Sequence, residues 1–156
     1  MNVNELLKQV SFMSKISGED INKISTVVEE CSYKPDSVIF KENSPGGEMF
    51  IVVTGKVQIC RAEVDGGMKV LSLLDNGQIF GELSVFDRLP RSATAIAVEN
   101  TKLLCIKADR LEKLMNEDKE LGLLLLRQVI LNLSQRLRNT NDKLQDKVFW
   151  GFTAKL

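Results

Sequence analysis

Between Tyr33 and Lys107 the chain is a succession of short β-branched and aliphatic runs, each closed by residues that force a turn. The runs are Val38-Ile39-Phe40, Met49 to Val53, Val57 to Cys60, Met68 to Leu74, Ala93 to Val98 and Lys102 to Ile106. Between them stand Lys34-Pro35-Asp36, Ser44-Pro45-Gly46-Gly47, Thr54-Gly55-Lys56, Asp65-Gly66-Gly67 and Asp75-Asn76-Gly77. Each supplies the fixed φ of proline or the positive φ open to glycine, which a tight reversal of an extended chain requires. Strands recurring every ~8–12 residues restrict this part to an all-β sandwich or barrel rather than a parallel sheet with crossover helices. The Asp65-Gly66-Gly67 break predicts a β-hairpin connection.

The flanks have a different period. Leu6, Leu7, Val10, Met13, Ile21, Ile24, Val27 and Val28 recur at helical spacing, and residues 1–32 are read as N-terminal helices. Ser17-Gly18-Glu19-Asp20 has the pattern of a capping box, so a second helix is predicted to begin near Gly18. After Asp109, a short helix over Arg110 to Met115 precedes a long one from about Asp118 to at least Gln145. The long helix carries Leu123, Leu126, Ile130, Leu133, Leu137, Thr140 and Leu144, alternating three and four residues apart. That is a heptad seam, expected to pair with a second copy of the chain, although an amphipathic helix lying on its own barrel gives a related pattern. Leu121, Leu124, Leu125 and Val129 suit the latter role. With 156 residues the chain is expected to be a single domain, 1–156: helices to residue 32, β-structure over 33–107, C-terminal helices over 109–146 and a tail at 147–156.

Composition excludes several chemistries. Lysine and arginine number 21, as do aspartate and glutamate, and a neutral chain is a poor ligand for DNA, RNA or anionic membrane. Histidine is absent, which removes most zinc, non-haem iron and copper sites, histidine-activated nucleophiles and a metal-dependent cupin. No metal site, no cofactor and no catalytic residue is expected. Cys31, Cys60 and Cys105 form no CxxC pair, which fits a reducing compartment. Cys60 and Cys105 lie in apolar runs and read as core residues more readily than as redox centres. Neither a signal peptide nor a stretch of ~20 apolar residues is visible, so the chain is expected to be cytoplasmic with no membrane partner.

One segment departs from ordinary core: Ile79-Phe80-Gly81-Glu82-Leu83-Ser84-Val85-Phe86-Asp87-Arg88-Leu89-Pro90-Arg91-Ser92-Ala93-Thr94-Ala95. A glutamate beside glycine in an apolar setting suggests close backbone approach to a ligand and a carboxylate that accepts from hydroxyls. An arginine followed by small residues suits a phosphate, with the guanidinium and nearby N–H groups around it. Together they describe a pocket for a phosphorylated sugar with a free hydroxyl. A surface ion pair between Glu82 and Arg91 at the ends of a loop fits the charges equally well.

The string Phe80-Gly81-Glu82-Leu83 followed by Pro90-Arg91-Ser92-Ala93-Thr94 closely resembles the phosphate-binding cassette of cyclic nucleotide-binding domains, as found in the catabolite activator family and protein kinase regulatory subunits. Gly46-Gly47-Glu48-Met49-Phe50-Ile51-Val52-Val53-Thr54-Gly55-Lys56-Val57 is similar to the first long hairpin of that fold, and the similarity runs from about Phe12 to Gln145. The resemblance implies a mainly β fold with flanking helices, a double-stranded β-helix (jelly-roll) barrel with a long C-terminal helix. It implies that Glu82 accepts the ribose 2′-hydroxyl, aided by the backbone of Gly81 and Leu83. Arg91 would pair with the cyclic phosphate, with Ser92 and the Ala93 N–H completing the cradle. Ile59, Leu71 and Leu74 are expected to line the base pocket. Thr140 and Asn141 match the polar pair that the long helix offers to the base in the catabolite activator branch; Thr140 also suits a register-setting polar residue on the seam.

The same resemblance leaves base choice between cyclic AMP and cyclic GMP open, because the Ser92 hydroxyl suits phosphate or guanine; the Thr140 match favours adenine. The activator branch has a winged helix-turn-helix after the long helix, whereas here only Lys147 to Leu156 follows, and no DNA binding is expected. Were these residues the whole product, the chain would be a non-enzymatic sensor relaying ligand state through its C-terminal helix to a separate, unidentified effector. Phe149, Trp150 and Phe152 would then form a partner surface or pack on the chain's own helices. The competing reading is an assembly module that keeps the fold without binding nucleotide; an enzyme such as a phosphodiesterase finds no nucleophile–base pair or carboxylate cluster.

Overall fold

The computed structural model describes residues 2–153, with side chains described through residue 146. Helix α1 (Val3–Gln9) is closed at its start by a capping box between Asn2 and Glu5, and a 3-10 turn (Ser11–Met13) leads to α2 (Gly18–Ser25). The Ser17 hydroxyl accepts from the Asp20 N–H at 3.1 Å, so α2 begins where the sequence pattern places it. Eight strands follow: β1 (Val28–Tyr33), β2 (Val38–Phe40), β3 (Glu48–Thr54), β4 (Val57–Ala62), β5 (Met68–Leu74), β6 (Ile79–Phe80), β7 (Thr94–Ala97) and β8 (Thr101–Lys107). The short helix α3 (Glu82–Phe86) lies between β6 and β7, and α4 (Ala108–Glu117) and α5 (Lys119–Thr153) close the chain.

The strands form two antiparallel four-stranded sheets, ordered β1-β8-β3-β6 and β2-β7-β4-β5. The first sheet is covered on both faces. Phe50, Val52, Leu103 and Cys105 point into the barrel and meet Val57, Leu74 and Ala95 of the second sheet. Met49, Ile51, Val53, Leu104 and Ile106 face outward onto α1, α2, α4 and α5. Double burial explains why β3 and β8 read as nearly unbroken apolar runs rather than as alternating ones.

One expectation is corrected. The helical reading of the N-terminal part extended past residue 28, but Val28–Tyr33 is strand β1, paired along its whole length with β8 from Val28↔Ile106 to Tyr33↔Thr101. Val27 and Val28 continue the helical spacing, and Glu29 and Glu30 are good helix formers, so local signals point the wrong way. Pairing to a largely buried strand overrides them, supported by Lys102–Glu30 at 2.8 Å and Arg110–Glu29 at 2.6 Å. The other predicted strands stand within two residues of their expected limits. The aromatic tail residues, Phe149, Trp150 and Phe152, lie outside the described side chains.

The α4–α5 elbow is tied to the N-terminal helices. Asp118 accepts the Leu121 N–H at 3.0 Å, capping α5, and its other oxygen accepts from Lys23 of α2 at 2.7 Å. The Lys23 bond, then the Leu121 bond, holds the Asp118 carboxyl below its ordinary value, while the same partnership holds the Lys23 ammonium above its own. A carboxyl depressed in the folded state stabilises above its unfolded pKa, about 3.9, and loses that contribution as pH falls through the folded value. The lysine's contribution disappears only at strongly alkaline pH. Asp118→Asn is therefore expected to lower the thermal midpoint at pH 7, the gap from wild type narrowing as pH falls below the unfolded value, about 3.9, and through the lowered folded one. A midpoint difference that stays constant down to pH 2 would contradict this.

Candidate functional site

Strand β6 ends at Phe80, and the next residue, Gly81, has a φ of 75° that lets the chain turn straight into α3. A β-carbon there would stand 2.8 Å from Arg91 Nη1 and 2.9 Å from the Glu48 carbonyl, so position 81 is confined to glycine by conformation and by space. The turn brings Glu82 inside, where it is only 1% exposed, and the returning loop delivers Arg91 at 4%. A carboxylate and a guanidinium this deep call for specific partners, because an unpaired buried charge is expensive. The surface ion-pair alternative therefore fails for both residues.

Arg91 is held from several sides. Its Nη1 donates to Glu48 O at 2.7 Å, Ser84 Oγ at 2.9 Å and Gly81 O at 3.1 Å, while Nη2 stands 3.8 Å from a Glu48 carboxylate oxygen. The guanidinium lies 4.1 Å from the Phe40 ring centroid, and Phe40, Phe50 and Phe80 pack together behind it with centroids 5.1–5.9 Å apart. Burial draws the guanidinium pKa downward and the Glu48 carboxylate pushes it back.

Glu82 meets a partner that sequence reading missed. Arg136, reaching across from α5, donates Nη1 to Glu82 Oε1 at 2.9 Å and Nη2 to the Ile79 carbonyl. Three polar atoms nevertheless remain buried without a partner at this place: Glu82 Oε2, Arg91 Nε and Arg136 Nε. Their residues line one cavity of about 80 Å³, together with Phe40, Ile59, Ser72, Phe80, Gly81, Leu83, Ser84, Ser92 and Ala93. Larger hollows exist, of about 270 Å³ between α3 and α4 and about 340 Å³ beside Gly46 and Pro90. Among the described residues, neither is lined by a residue holding a buried unpaired polar atom, so the smaller cavity is the chemically prepared one.

The structure thus brings Gly81, Glu82, Leu83, Arg91, Ser92, Ala93 and Ile59 to one cavity. It does not bring Leu71, which stands on the outer face of β5 and is 41% exposed. Ser72 lies opposite Ile59 in the β4–β5 register and takes the inward place. Leu74 is packed in the core between the sheets. Thr140 and Asn141 are exposed on α5, one turn beyond Arg136, with the Thr140 hydroxyl donating to Arg136 O at 2.9 Å. Arg136 had a legible signal: it lies four residues before Thr140 and so shares its helix face. Among the described residues no cluster of three or more metal-ligating groups occurs, and no helix is long and apolar enough to cross a membrane.

The family model described as the cyclic nucleotide-binding domain matches residues 30–118. A CRP-like cAMP-activated global transcriptional regulator of Mycobacterium tuberculosis is 28% identical over 147 residues, 94% of this chain and 64% of that protein. The cyclic AMP receptor protein of Thermus thermophilus is 33% identical over 91 residues, 58% of this chain and 42% of that protein. The chain thus spans less than two thirds of the length of these curated relatives. Among solved structures, the N-terminal domain of a transcriptional regulator from Streptomyces coelicolor superposes with a TM-score of 0.71 at 30% identity, covering 89% of this chain and 94% of that one. A cyclic nucleotide-binding domain from Methylobacillus flagellatus gives 0.83 at 23% identity, covering 93% and 82%, a likeness of fold.

Proposed function

We propose that this chain, which belongs to the cyclic nucleotide-binding domain family, is a non-enzymatic sensor that binds a cyclic nucleotide, cyclic AMP by preference, and relays its occupancy through α5 to a separate partner. The observation that carries this reading is the pairing of an unsatisfied acceptor, Glu82 Oε2, with an unsatisfied donor, Arg91 Nε, in one cavity. A ribose 2′-hydroxyl donates to the first. A cyclic phosphodiester, with its single negative charge, accepts from the second, aided by Ser92 and the Ala93 N–H, and one guanidinium neutralises it without a metal. Ile59 and Ser72 flank the base. The relatives named for cyclic AMP support the same ligand class.

The relay follows from size. A cavity of about 80 Å³ falls well short of the ~300–1,000 Å³ usual for small-molecule sites. Arg136 bridges α5 to Glu82 and Ile79 across it, so a nucleotide enters by shifting α5 outward. That displacement gives the ligand different contacts in the two positions of the helix, which is what biases a two-state element. Thr140 and Asn141, exposed on the same stretch of α5, are the polar side chains this helix offers to the base. The exposed apolar side of α5 is the surface on which a second copy of the chain pairs.

Titration calorimetry with cyclic AMP, cyclic GMP and 5′-AMP tests the reading. The expected result is one site per chain for a cyclic nucleotide, with 5′-AMP at least tenfold weaker. Glu82→Gln, which puts an amide where the free carboxylate oxygen is needed, is expected to weaken binding by about 10- to 100-fold, the value of a hydrogen bond to a charged group. Heat-silent and competition-silent mixtures with all three nucleotides would leave only the assembly module.

A further inference from the structure

We propose that Ser84 is the positioning residue that fixes the rotation of the Arg91 guanidinium and thereby makes phosphate recognition selective for one exocyclic oxygen. This rests on the cyclic nucleotide reading of the cavity. Ser84 is buried, and its hydroxyl serves three segments at once: it accepts from Arg91 Nη1 at 2.9 Å, donates to Gly81 O at 3.2 Å and is approached by the Gly47 N–H at 3.4 Å. Gly46 makes room for it, since a β-carbon there would stand 2.2 Å from Ser84 Cβ and Oγ. The turn before β3, the helix α3 and the ligand-facing arginine therefore meet at one oxygen atom.

The consequence is directional. Nη1 has two hydrogens and three protein acceptors, Glu48 O, Gly81 O and Ser84 Oγ, so nothing on Nη1 is left for a ligand. The ring of Phe40 fixes the plane of the guanidinium. What remains is the Nε–Nη2 edge, and Nε is buried without a partner. A planar fork held in one rotation offers the phosphate two unlike donors, the unpartnered Nε and an Nη2 that stands 3.8 Å from the Glu48 carboxylate, so the two exocyclic oxygens meet different environments, which a freely turning cation does not impose. An alanine at 84 would keep most of the packing and lose the oxygen. A buried hydroxyl is tolerated only when its bonds are made, and here they are made to the arginine and to the carbonyl of Gly81.

The test uses the two cyclic AMP phosphorothioate diastereomers, in which sulfur replaces one or the other exocyclic oxygen, with wild type, Ser84→Ala and Ser84→Cys. Wild type is expected to prefer one diastereomer, and Ser84→Ala to reduce that preference roughly tenfold, with a smaller loss for unmodified cyclic AMP. Ser84→Cys, a weaker acceptor of similar size, should fall between and serves where the alanine variant does not fold. A wild type indifferent to the diastereomers, or variants that retain the full preference, overturns the role of Ser84 while leaving nucleotide binding intact. A wild type that binds neither diastereomer nor cyclic AMP overturns the ligand reading itself, and the role of Ser84 with it.

Discussion

Arg91→Ala is expected to erase the thermal stabilisation that a cyclic nucleotide gives the wild-type protein. At a free concentration 100 times its dissociation constant, a ligand that binds only the folded state adds about 2.7 kcal/mol. For a chain of this size about 1 kcal/mol corresponds to ~2–4 °C, so the wild-type midpoint should rise by about 5–11 °C. In the variant the donor edge facing the cavity is gone, and the phosphate would enter a place walled by Phe40 and Glu82, where the remaining cation, Arg136, is already engaged by Glu82 and the Ile79 carbonyl. The ligand-free variant is also expected to melt lower. Glu48 O, Gly81 O and Ser84 Oγ each lose the Arg91 donor, at about 0.5–1.5 kcal/mol per hydrogen bond or more to a charged group, although Gly81 O keeps the Ser84 hydroxyl and Ser84 Oγ keeps the Gly47 N–H. The desolvation of the guanidinium is relieved at the same time, so the net loss is smaller than those bonds suggest. Arg91→Lys separates charge from shape: it keeps the cation but not the fork, and a partial shift is expected. A full ligand-induced shift in Arg91→Ala would place the phosphate elsewhere.

Much of this site is legible from Gly81-Glu82 and Pro90-Arg91-Ser92-Ala93 through their resemblance to the phosphate-binding cassette, since their charges alone fit a surface ion pair equally well. A glutamate 1% exposed and an arginine 4% exposed rule the surface pair out. What the sequence conceals is which neighbour faces inward. Strand β5 carries apolar residues on both faces, with Met68, Val70, Leu71 and Leu73 all exposed, so hydrophobicity does not separate Leu71 from Ser72. The β4–β5 register shifts between Ile59 and Cys60, and a shift of one residue exchanges the faces of everything beyond it. Strand β1 was hidden for another reason: its glutamates suit a helix, and only pairing with β8 makes it a strand. Arg136 was hidden by its surroundings, since an arginine on a long polar helix ordinarily belongs to the solvated face. Its place four residues before Thr140 puts it on the same helix face, but that it reaches Glu82 depends on where α5 crosses the barrel, a tertiary fact.

The other large effect is expected on assembly. Helix α5 divides its apolar residues by direction. Leu121, Leu125 and Val129 are buried against the barrel, whereas Leu123, Ile130, Leu137 and Leu144, spaced seven residues apart, are 55–70% exposed. A stripe repeating every seven residues does not follow a straight helix along one line; it closes on a partner helix that shares its supercoil. Leu126 and Leu133 lie between the two faces and are half-buried, so the barrel and the seam share them. If α5 pairs with a second copy as proposed, Ile130→Glu together with Leu137→Glu is expected to convert that dimer into a monomer. Complete burial of such a side chain is worth about 1.5–3 kcal/mol, and the double variant removes four from the dimer, leaving carboxylates facing one another. The dissociation constant should rise by about a thousandfold or more, which sedimentation velocity across micromolar concentrations will show. Both positions point away from Glu82, Arg91 and Arg136, so Arg136 should still bridge Glu82 to the helix and the monomer should still fold around the cavity. Whether ligand affinity survives then separates two jobs of α5. Retained affinity means that each barrel and its own helix make the site, and a fall in affinity that follows the fall in dimer content means that pairing holds α5 where Thr140 and Asn141 meet the base. A wild-type chain that sediments as a monomer at every concentration would instead leave the stripe for a different helical partner, which the proposed relay would then require.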